Sequence, residues 1–374
     1  MNIRMKLAVV AALAAALPAF AQIKINDSLS VTGWSVGSYT YTSTKGSAGN
    51  ANTSSDSFNV DAALLGATIT PTKEVTGTVS FYFKPDTEGG INGPAGAGTQ
   101  EVTLLDAYVA YDCGNGLTAT AGKFLSALGY ESYYAISDNM ITLANQQFLA
   151  PIPGYHEGFK LDYAADKTTT VGVALVDSEY SSNFAATEGD GHLEHNFGTE
   201  GYVTYTGVEN LTLWFGAGYD SKGTPVNPFG FPSTRSHSVY VLDFWASYQL
   251  NKQITLAAEE IYKDGGKAPN AAAAAAAGLP TDKGSNWLLY AQYLFTDKLS
   301  TWAAFSGEDV SSATFGTGKS AVSVSGPRYW KASIAPTYAL TANLDVKAQV
   351  SYTKYSNFTA KSAVFTGVQV GFKF

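Results

Sequence analysis

Apolar and polar residues alternate with a period of two in short segments along the chain, and this alternation restricts the fold more than any other feature. The final stretch is the clearest example. Val368, Val370 and Phe372 share one parity there, whereas Gln369 and Lys373 take the other. A period of two is typical of a β-strand with one apolar and one polar face. The sequence therefore predicts an all-β protein.

Sixteen segments with this pattern can be distinguished. They lie near residues 29–41, 58–70, 75–84, 102–111, 116–124, 157–165, 168–177, 197–206, 210–219, 238–249, 253–263, 286–295, 298–306, 329–338, 343–354 and 362–374. Tight turns alternate with longer, more polar connections, which run from 42–57 to 355–361. Short periplasmic turns on one side and long extracellular loops on the other are the layout of a transmembrane antiparallel β-barrel, here of about 16 strands.

Composition favours a membrane barrel over a soluble sandwich. Charged residues make up 14% of the chain, and Tyr and Phe number 23 and 20. Soluble domains carry roughly 25% charged residues. Beyond the first 21 residues, no segment approaches the roughly 18 consecutive apolar residues of a membrane helix. A chain of this kind can therefore cross lipid only as a closed barrel, and a sandwich has no reason to sort its loops by length.

The first residues have the order of regions found in secretory signal peptides. Residues 1–6 carry two basic side chains, an apolar run covers 7–17, and Ala19-Phe20-Ala21 has the small-x-small pattern of a cleavage site. We therefore expect residues 1–21 to be a signal peptide and residues 22–374 to form the barrel. The single Cys113 excludes a framework of internal disulfides.

Four motifs resemble the β-barrel porin family described as OmpL-like. They are L-L-D-A-Y-V-A-Y (104–111), G-L-T-A-T-A-G-K-F (116–124), L-G-Y-E (128–131) and P-G-Y-H-E-G-F-K-L-D-Y (153–163). The resemblance implies a pore in the bacterial outer membrane, surrounded by lipid and lipopolysaccharide. It implies little about the solute.

The last strand also resembles the C-terminal signal by which outer-membrane proteins are recognised by their assembly machinery. Phe374 ends the chain, and Phe372 stands two positions before it. We therefore expect Phe372 and Phe374 to act as an assembly signal, with that machinery as a partner.

A barrel of sixteen strands is wide enough for an aqueous channel, so the obstruction within it determines what passes. The longest connection, 125–156, is rich in apolar and aromatic residues and contains no Lys or Arg. By analogy with general porins, it should fold inward, and its Glu131 and Asp138 should form the constriction. The alternative is that this loop caps the barrel from outside, since long loops often serve as lids.

Charged side chains on the polar faces should line the pore. In the predicted register these are Lys160, Asp162, Asp243, Glu259, Lys331, Asp345 and Lys347. Their mixed signs predict a weak preference for cations, with the lysines opposite the loop carboxylates. No aromatic ladder that would indicate sugars can be recognised in the sequence.

The leading functional hypothesis is a non-enzymatic porin for passive diffusion of small hydrophilic solutes and ions, with a homotrimer possible by analogy. A structural or adhesive barrel and an outer-membrane barrel hydrolase are the alternatives, and a conductance measurement discriminates them.

His192 and His195 suggest a metal pair only superficially, because they lie in a Gly- and Asp-rich loop rather than on a helix. We expect no catalytic residues, cofactor or metal, and the formal net charge of −8 argues against nucleic acid.

Overall fold

The computed structural model describes residues 22–47, 49–84, 101–131, 138–144, 147–149, 151–179, 197–221, 238–267, 274 and 279–374. The expected signal peptide, residues 1–21, lies outside these ranges. Among the described residues, no helix is both long enough and apolar enough to span a membrane.

The described residues form strands along almost their entire length. In chain order the strands are β1 (Gln22–Asn26), β2 (Leu29–Gly46), β3 (Thr53–Ile69), β4 (Val75–Lys84), β5 (Glu101–Gly114), β6 (Leu117–Leu125), β7 (Tyr155–Ala164), β8 (Thr169–Val176), β9 (Gly198–Val208), β10 (Leu211–Asp220), β11 (Val239–Gln249), β12 (Ile254–Lys267), β13 (Thr281–Leu294), β14 (Leu299–Val310), β15 (Ala313–Phe315), β16 (Val322–Val324), β17 (Arg328–Ala339), β18 (Leu344–Ser356) and β19 (Ala360–Lys373). A 3-10 helix, Gly318–Ser320, lies between β15 and β16.

A closed antiparallel barrel of 16 strands is built from β2–β14 and β17–β19, which confirms the predicted fold. Successive strands pair in order, β14 pairs with β17, and β19 returns to β2. The last residue takes part in the closure. Phe374 and Gly33 exchange two backbone hydrogen bonds, each 2.9 Å long. A closed ladder leaves no unpaired edge, as a sheet in lipid requires.

The two faces of the strands separate apolar from polar side chains. In β19, Val368 and Val370 are 46% and 45% exposed on the outer surface, whereas Gln369 between them is 3% exposed. In β4, Phe81 is exposed and Ser80 is buried. The outer surface is therefore apolar and the inner surface polar, as the alternation predicts.

The predicted tight turns are confirmed, but two of the predicted long loops are wrong. β2 and β3 remain paired up to Thr44 and Thr53, so only residues 47–52 connect them. β18 and β19 are joined by residues 357–359 alone. These strand ends carry polar residues on both faces. Where paired strands extend beyond the apolar band of the barrel, neither of their faces contacts lipid and neither has to be apolar. The alternation of apolar and polar residues therefore ends before the strands do.

Two further elements are not predicted by the sequence. β1 pairs with the start of β2, with Gln22 opposite Thr32. β19 pairs with the later part of β2, from Trp34 onward, so β1 lies beside the part of β2 that β19 does not reach. β15 and β16 form a separate hairpin in the connection between β14 and β17. β15 and β16 have three residues each and are too short to show a clear alternation, whereas Ile23 and Ile25 of β1 do alternate with polar residues.

The terminal aromatic rings pack where the barrel closes. The rings of Phe372 and Phe374 have centroids 5.9 Å apart. A Cβ atom on Gly33 would lie 2.5 Å from the Cζ atom of Phe374, so the ring occupies space that only a glycine leaves open. Phe374 is thus part of the closing contact, while its role as an assembly signal stays a prediction.

We predict that replacing Phe372 and Phe374 with Ser lowers the yield of membrane-inserted protein, measured as the heat-modifiable band on electrophoresis. The double replacement removes the apolar anchors of the closing strand. The matched control is Val364→Ser with Val368→Ser, which removes apolar groups from the same face of the closing strand but away from the chain terminus. Equal yields for the two double variants would contradict a specific role for the terminal residues.

Candidate functional site

Residues 126–154 connect β6 and β7 and are called the inner loop below, and the described parts of this loop lie in the lumen. Its described parts are hydrogen-bonded to inward-facing side chains of seven wall strands, β9, β11, β12, β13, β14, β17 and β18. Its ends meet at the wall, since Ser126 N–H donates to the carbonyl of Gly154 at 2.9 Å. The alternative of a cap outside the barrel is therefore wrong for these parts of the loop.

Wall carboxylates accept hydrogen bonds from the first residues of the inner loop. Glu200 accepts from Ala127 N–H at 2.6 Å, and Asp243 from Gly129 N–H at 2.7 Å. Glu259 accepts from Tyr130 N–H at 2.5 Å. Successive amides of the loop thus meet carboxylates of β9, β11 and β12. A backbone donor buried in a protein interior needs such a partner, and a charged acceptor makes a stronger bond.

The middle of the inner loop is bound by β17 and β18. Gln349 accepts from the N–H groups of Ile141 and Thr142 at 2.5 and 3.1 Å. Lys331 donates to the carbonyl of Leu143 at 2.7 Å, and Lys347 donates to the carbonyl of Asp138.

The returning limb is held chiefly by Glu308. Its carboxylate accepts from the N–H groups of Gln147, Phe148 and Leu149 at 3.0, 2.8 and 2.5 Å. Lys263 donates to the carbonyl of Leu149 at 2.8 Å. In the described parts of the loop, wall carboxylates and Gln349 accept from backbone amides, and wall lysines donate to backbone carbonyls.

Apolar side chains of the inner loop pack on the same wall. Met140 and Ala144 lie in one buried cluster with Leu288 and Tyr290, and Phe148 lies in another with Tyr329. The prediction that the apolar residues of this loop are packed against something is confirmed. Burial of this kind adds roughly 1.5–3 kcal/mol per large side chain.

A row of aromatic rings supports the loop, although the sequence shows no ladder. Trp214 stacks on Tyr202 and on Trp245, with centroid distances of 6.1 and 5.9 Å and interplanar angles of 13° and 6°. Tyr130 of the loop continues the row, 5.3 Å from Trp245 and 6.0 Å from Tyr290. These residues come from β9, β10, β11, β13 and the loop, so only the folded barrel brings them together.

A compact group of ionisable side chains lies where the inner loop leaves the wall. His156, at the start of β7, has its Nε2 atom 3.1 Å from Glu200 Oε2 and 3.5 Å from Glu179 Oε2. All three side chains are almost completely buried. Glu179 lies in the connection after β8, and its pKa is raised to about 8, chiefly by burial and also by the neighbouring charges of Glu200 and Asp220, against the lowering effect of His156.

The comparison with protein families agrees with this architecture. The model of the family described as putative beta-barrel porin-2, OmpL-like, matches residues 28–374. The chain belongs to this family. The protein is accordingly a porin-like β-barrel of the bacterial outer membrane. No curated protein sequence matches it significantly.

Solved outer-membrane barrels share the fold of this OmpL-like porin. OmpF of Salmonella typhi, in complex with daunomycin, is 14% identical with a TM-score of 0.63, covering 94% of this chain and 100% of that chain. The channel DcaP of Acinetobacter baumannii is 10% identical with a TM-score of 0.59, covering 94% and 99%. A trimer form of Vibrio cholerae OmpT is 11% identical with a TM-score of 0.55, covering 93% and 100%. At these identities the likeness concerns the fold alone.

The two residues predicted for the constriction lie in the inner loop and are enclosed by its contacts. Glu131 accepts hydrogen bonds from Tyr290 Oη at 2.6 Å and from Ala144 N–H at 2.8 Å. Asp138 is 9% exposed, and burial, reinforced by the charge of Glu131, raises its pKa well above the usual range. Their role in a constriction stays a prediction, whereas the hydrogen bonds of Glu131 join the loop to β13 and to Ala144.

The seven residues predicted to line the pore fall into two groups. Asp243, Glu259, Lys331 and Lys347 contact the inner loop, as described above. The two lysines therefore lie beside the loop rather than across an open channel from it.

The other three residues lie away from the loop contacts described here. Lys160 and Asp162 form an ion pair of 3.3 Å with 20% and 16% of their side chains exposed. Asp345 is half-buried, beside the charges of Lys347 and Lys373.

Several anchoring residues are not identified from the sequence. Glu308 falls just beyond the predicted end of its strand at residue 306, although β14 extends to Val310. Gln349 shares a parity with Asp345 and Lys347, so its inward direction is visible in the sequence, but its partner is not. Glu200 likewise occupies an inward position of a predicted strand.

We predict that Glu308→Gln loosens the returning limb of the inner loop. The carboxylate of Glu308 accepts three hydrogen bonds through two oxygens, whereas a glutamine has one acceptor oxygen, which can accept at most two, and carries no charge. Charge-assisted hydrogen bonds contribute about 1.5–3 kcal/mol. Hydrogen exchange at the amides of residues 147–149 should become roughly tenfold faster or more, while the barrel strands remain protected. Glu260→Gln, the same change on the outer face, is the control. Unchanged exchange at 147–149 would show that Glu308 is not the anchor.

Proposed function

We propose that this barrel forms a water-filled channel for passive diffusion of small hydrophilic solutes and ions, narrowed by the inner loop. The observation that supports this most directly is the inner loop itself, which is bound to one side of the lumen by paired hydrogen bonds and apolar packing. Barrels of sixteen strands are wide enough to leave an aqueous channel, so a loop held against the wall narrows the lumen without having to fill it.

Charged side chains that keep some exposure inside the barrel favour a solvated lumen over a sealed one. Lys160 and Asp162 retain 20% and 16% exposure while paired to each other. Asp162 also accepts a hydrogen bond of 2.5 Å from Tyr202 Oη. A structural barrel has no need for such groups, because an interior filled by side chains avoids burying charge.

The test is single-channel recording in planar bilayers, comparing the wild type with a variant that lacks residues 136–145. The wild type should conduct, and the deletion should raise the conductance because it removes part of the inner loop. As a matched control, an equal deletion in 186–195 removes residues from another long connection. Absence of current in the wild type would reject the channel, and equal conductance of the two deletion variants would reject the narrowing by the inner loop.

We further propose that the channel prefers cations weakly. The inner loop carries Glu131 and Asp138 and no Lys or Arg, and low-dielectric walls focus the field of such groups. The preference should be weak, because Lys331 and Lys347 lie beside these carboxylates and burial favours the neutral form of Asp138.

Reversal potentials in a salt gradient measure this preference. Glu131→Gln combined with Asp138→Asn should shift the reversal potential in the direction of anion selectivity. The control is Asp56→Asn, which also neutralises a carboxylate but lies at the exposed end of β3, and it should leave the reversal potential unchanged. Anion preference in the wild type would contradict the assignment of these two residues to the constriction.

Three further features belong to the same proposal. We infer no enzymatic activity, since the chain belongs to a porin family and His156 is fully buried. The histidines at 192, 195 and 237 lie outside the described residues. The trimer form recorded for Vibrio cholerae OmpT supports a homotrimer. A signal peptide over residues 1–21 agrees with the outer-membrane location.

A further inference from the structure

The group formed by His156, Glu179 and Glu200 has the composition of a metal site. One donor atom from each side chain lies within 4.8 Å of the other two. His156 Nε2 is 3.1 and 3.5 Å from the two carboxylates. In a tetrahedral site with bonds of about 2.0–2.1 Å, neighbouring donor atoms are roughly 3.3–3.4 Å apart. The two distances lie on either side of that value.

Glu179 provides an independent indication of a ligand. Its side chain is fully buried, yet neither carboxylate oxygen accepts a hydrogen bond from any residue in the described ranges. The contact of 3.5 Å with His156 is longer than a normal hydrogen bond. A buried carboxylate without hydrogen bonds is costly, and buried charges in proteins are usually paired or coordinate a metal.

The surrounding charges are strongly unbalanced. Asp220 adds a third buried carboxylate, which accepts from Ser178 Oγ at 2.5 Å and from Glu179 N–H at 3.0 Å. His156 is the basic group that faces Glu179 and Glu200 among the described residues. A divalent cation between His156, Glu179 and Glu200 would offset the negative charge that these carboxylates carry when ionised. Asp220 would orient Glu179 through its backbone, as outer-shell groups commonly orient metal ligands.

We propose that His156, Glu179 and Glu200 bind a first-row divalent transition-metal ion, with Zn²⁺ the best match. One imidazole nitrogen and two carboxylate oxygens suit Zn²⁺, whereas Ca²⁺ and Mg²⁺ take oxygen ligands in higher number.

The bound ion would join both ends of the inner loop to the wall. Glu200 also accepts from Ser126 Oγ and from Ala127 N–H, both at 2.6 Å, at the first residues of the loop. His156 follows its last residues. The proposal does not depend on conduction of solutes, because a closed barrel with the same side chains would bind the ion equally.

The test is isothermal titration calorimetry on the refolded full chain. The protein is first treated with a chelator to remove bound metal, and is then titrated separately with ZnCl₂, CaCl₂ and MgCl₂. Wild-type protein should bind Zn²⁺ at one saturable site per chain, and much more tightly than Ca²⁺ or Mg²⁺. A variant with His192→Ala, His195→Ala and His237→Ala should keep this site, because it retains His156. Absence of saturable Zn²⁺ binding, or its loss in this triple variant, would overturn the proposal.

Glu179→Gln should weaken Zn²⁺ binding at least about tenfold, since loss of even an outer-shell partner costs roughly 10–100-fold. The matched control is Asp243→Asn, which alters another buried wall carboxylate next to the inner loop and should leave the affinity unchanged. Heat-modifiable mobility shows whether each variant is folded. Unchanged affinity in folded Glu179→Gln would contradict the proposal.

X-ray absorption at the zinc edge of the wild type provides a test that does not depend on any variant folding. A coordination shell of one imidazole nitrogen and oxygen ligands around the zinc ion would support the proposed site. Two or more imidazoles would place the ion elsewhere, because the described cluster contains one histidine.

Discussion

Backbone hydrogen bonding inside an apolar environment is the constraint on which the rest of this structure depends. In lipid every N–H and C=O group needs a partner within the protein, so the sheet has to close on itself. The closure extends to the end of the chain, where Phe374 pairs with Gly33. The ring of Phe374 occupies space that a side chain at Gly33 would need, so the glycine makes room for this contact.

The same constraint explains the charged residues within the lumen. The inner loop has no ladder of its own in its described parts, so its amides and carbonyls need partners from the wall. Glu200, Asp243, Glu259 and Glu308 supply acceptors, and lysines supply donors. Charged side chains that would otherwise determine the electrostatic potential of the lumen are thereby hydrogen-bonded to the backbone of the loop. The electrostatics of the lumen and the position of the loop cannot be changed independently.

The alternation of side chains was sufficient to predict the barrel, the number of strands and the inward direction of most charged residues. It was less informative at strand ends, because a strand that extends beyond the apolar band has two polar faces. For this reason β2, β3 and β14 are longer than their patterns, and Glu308 was not identified as an inward-facing wall residue. The tight turns were easier to recognise, since their chemistry depends on a few neighbouring residues.

Local sequence thus specifies the period, the turns and the faces, because each depends on residues within a few positions of one another. The hydrogen bonds described between the inner loop and the wall join residues at least 73 positions apart, such as Ala127 with Glu200 and Phe148 with Glu308. The aromatic row and the cluster around His156 are assembled in the same way, from side chains on separate strands. Their formation depends on which strands lie opposite the loop in the closed barrel. A local sequence pattern does not predict that arrangement.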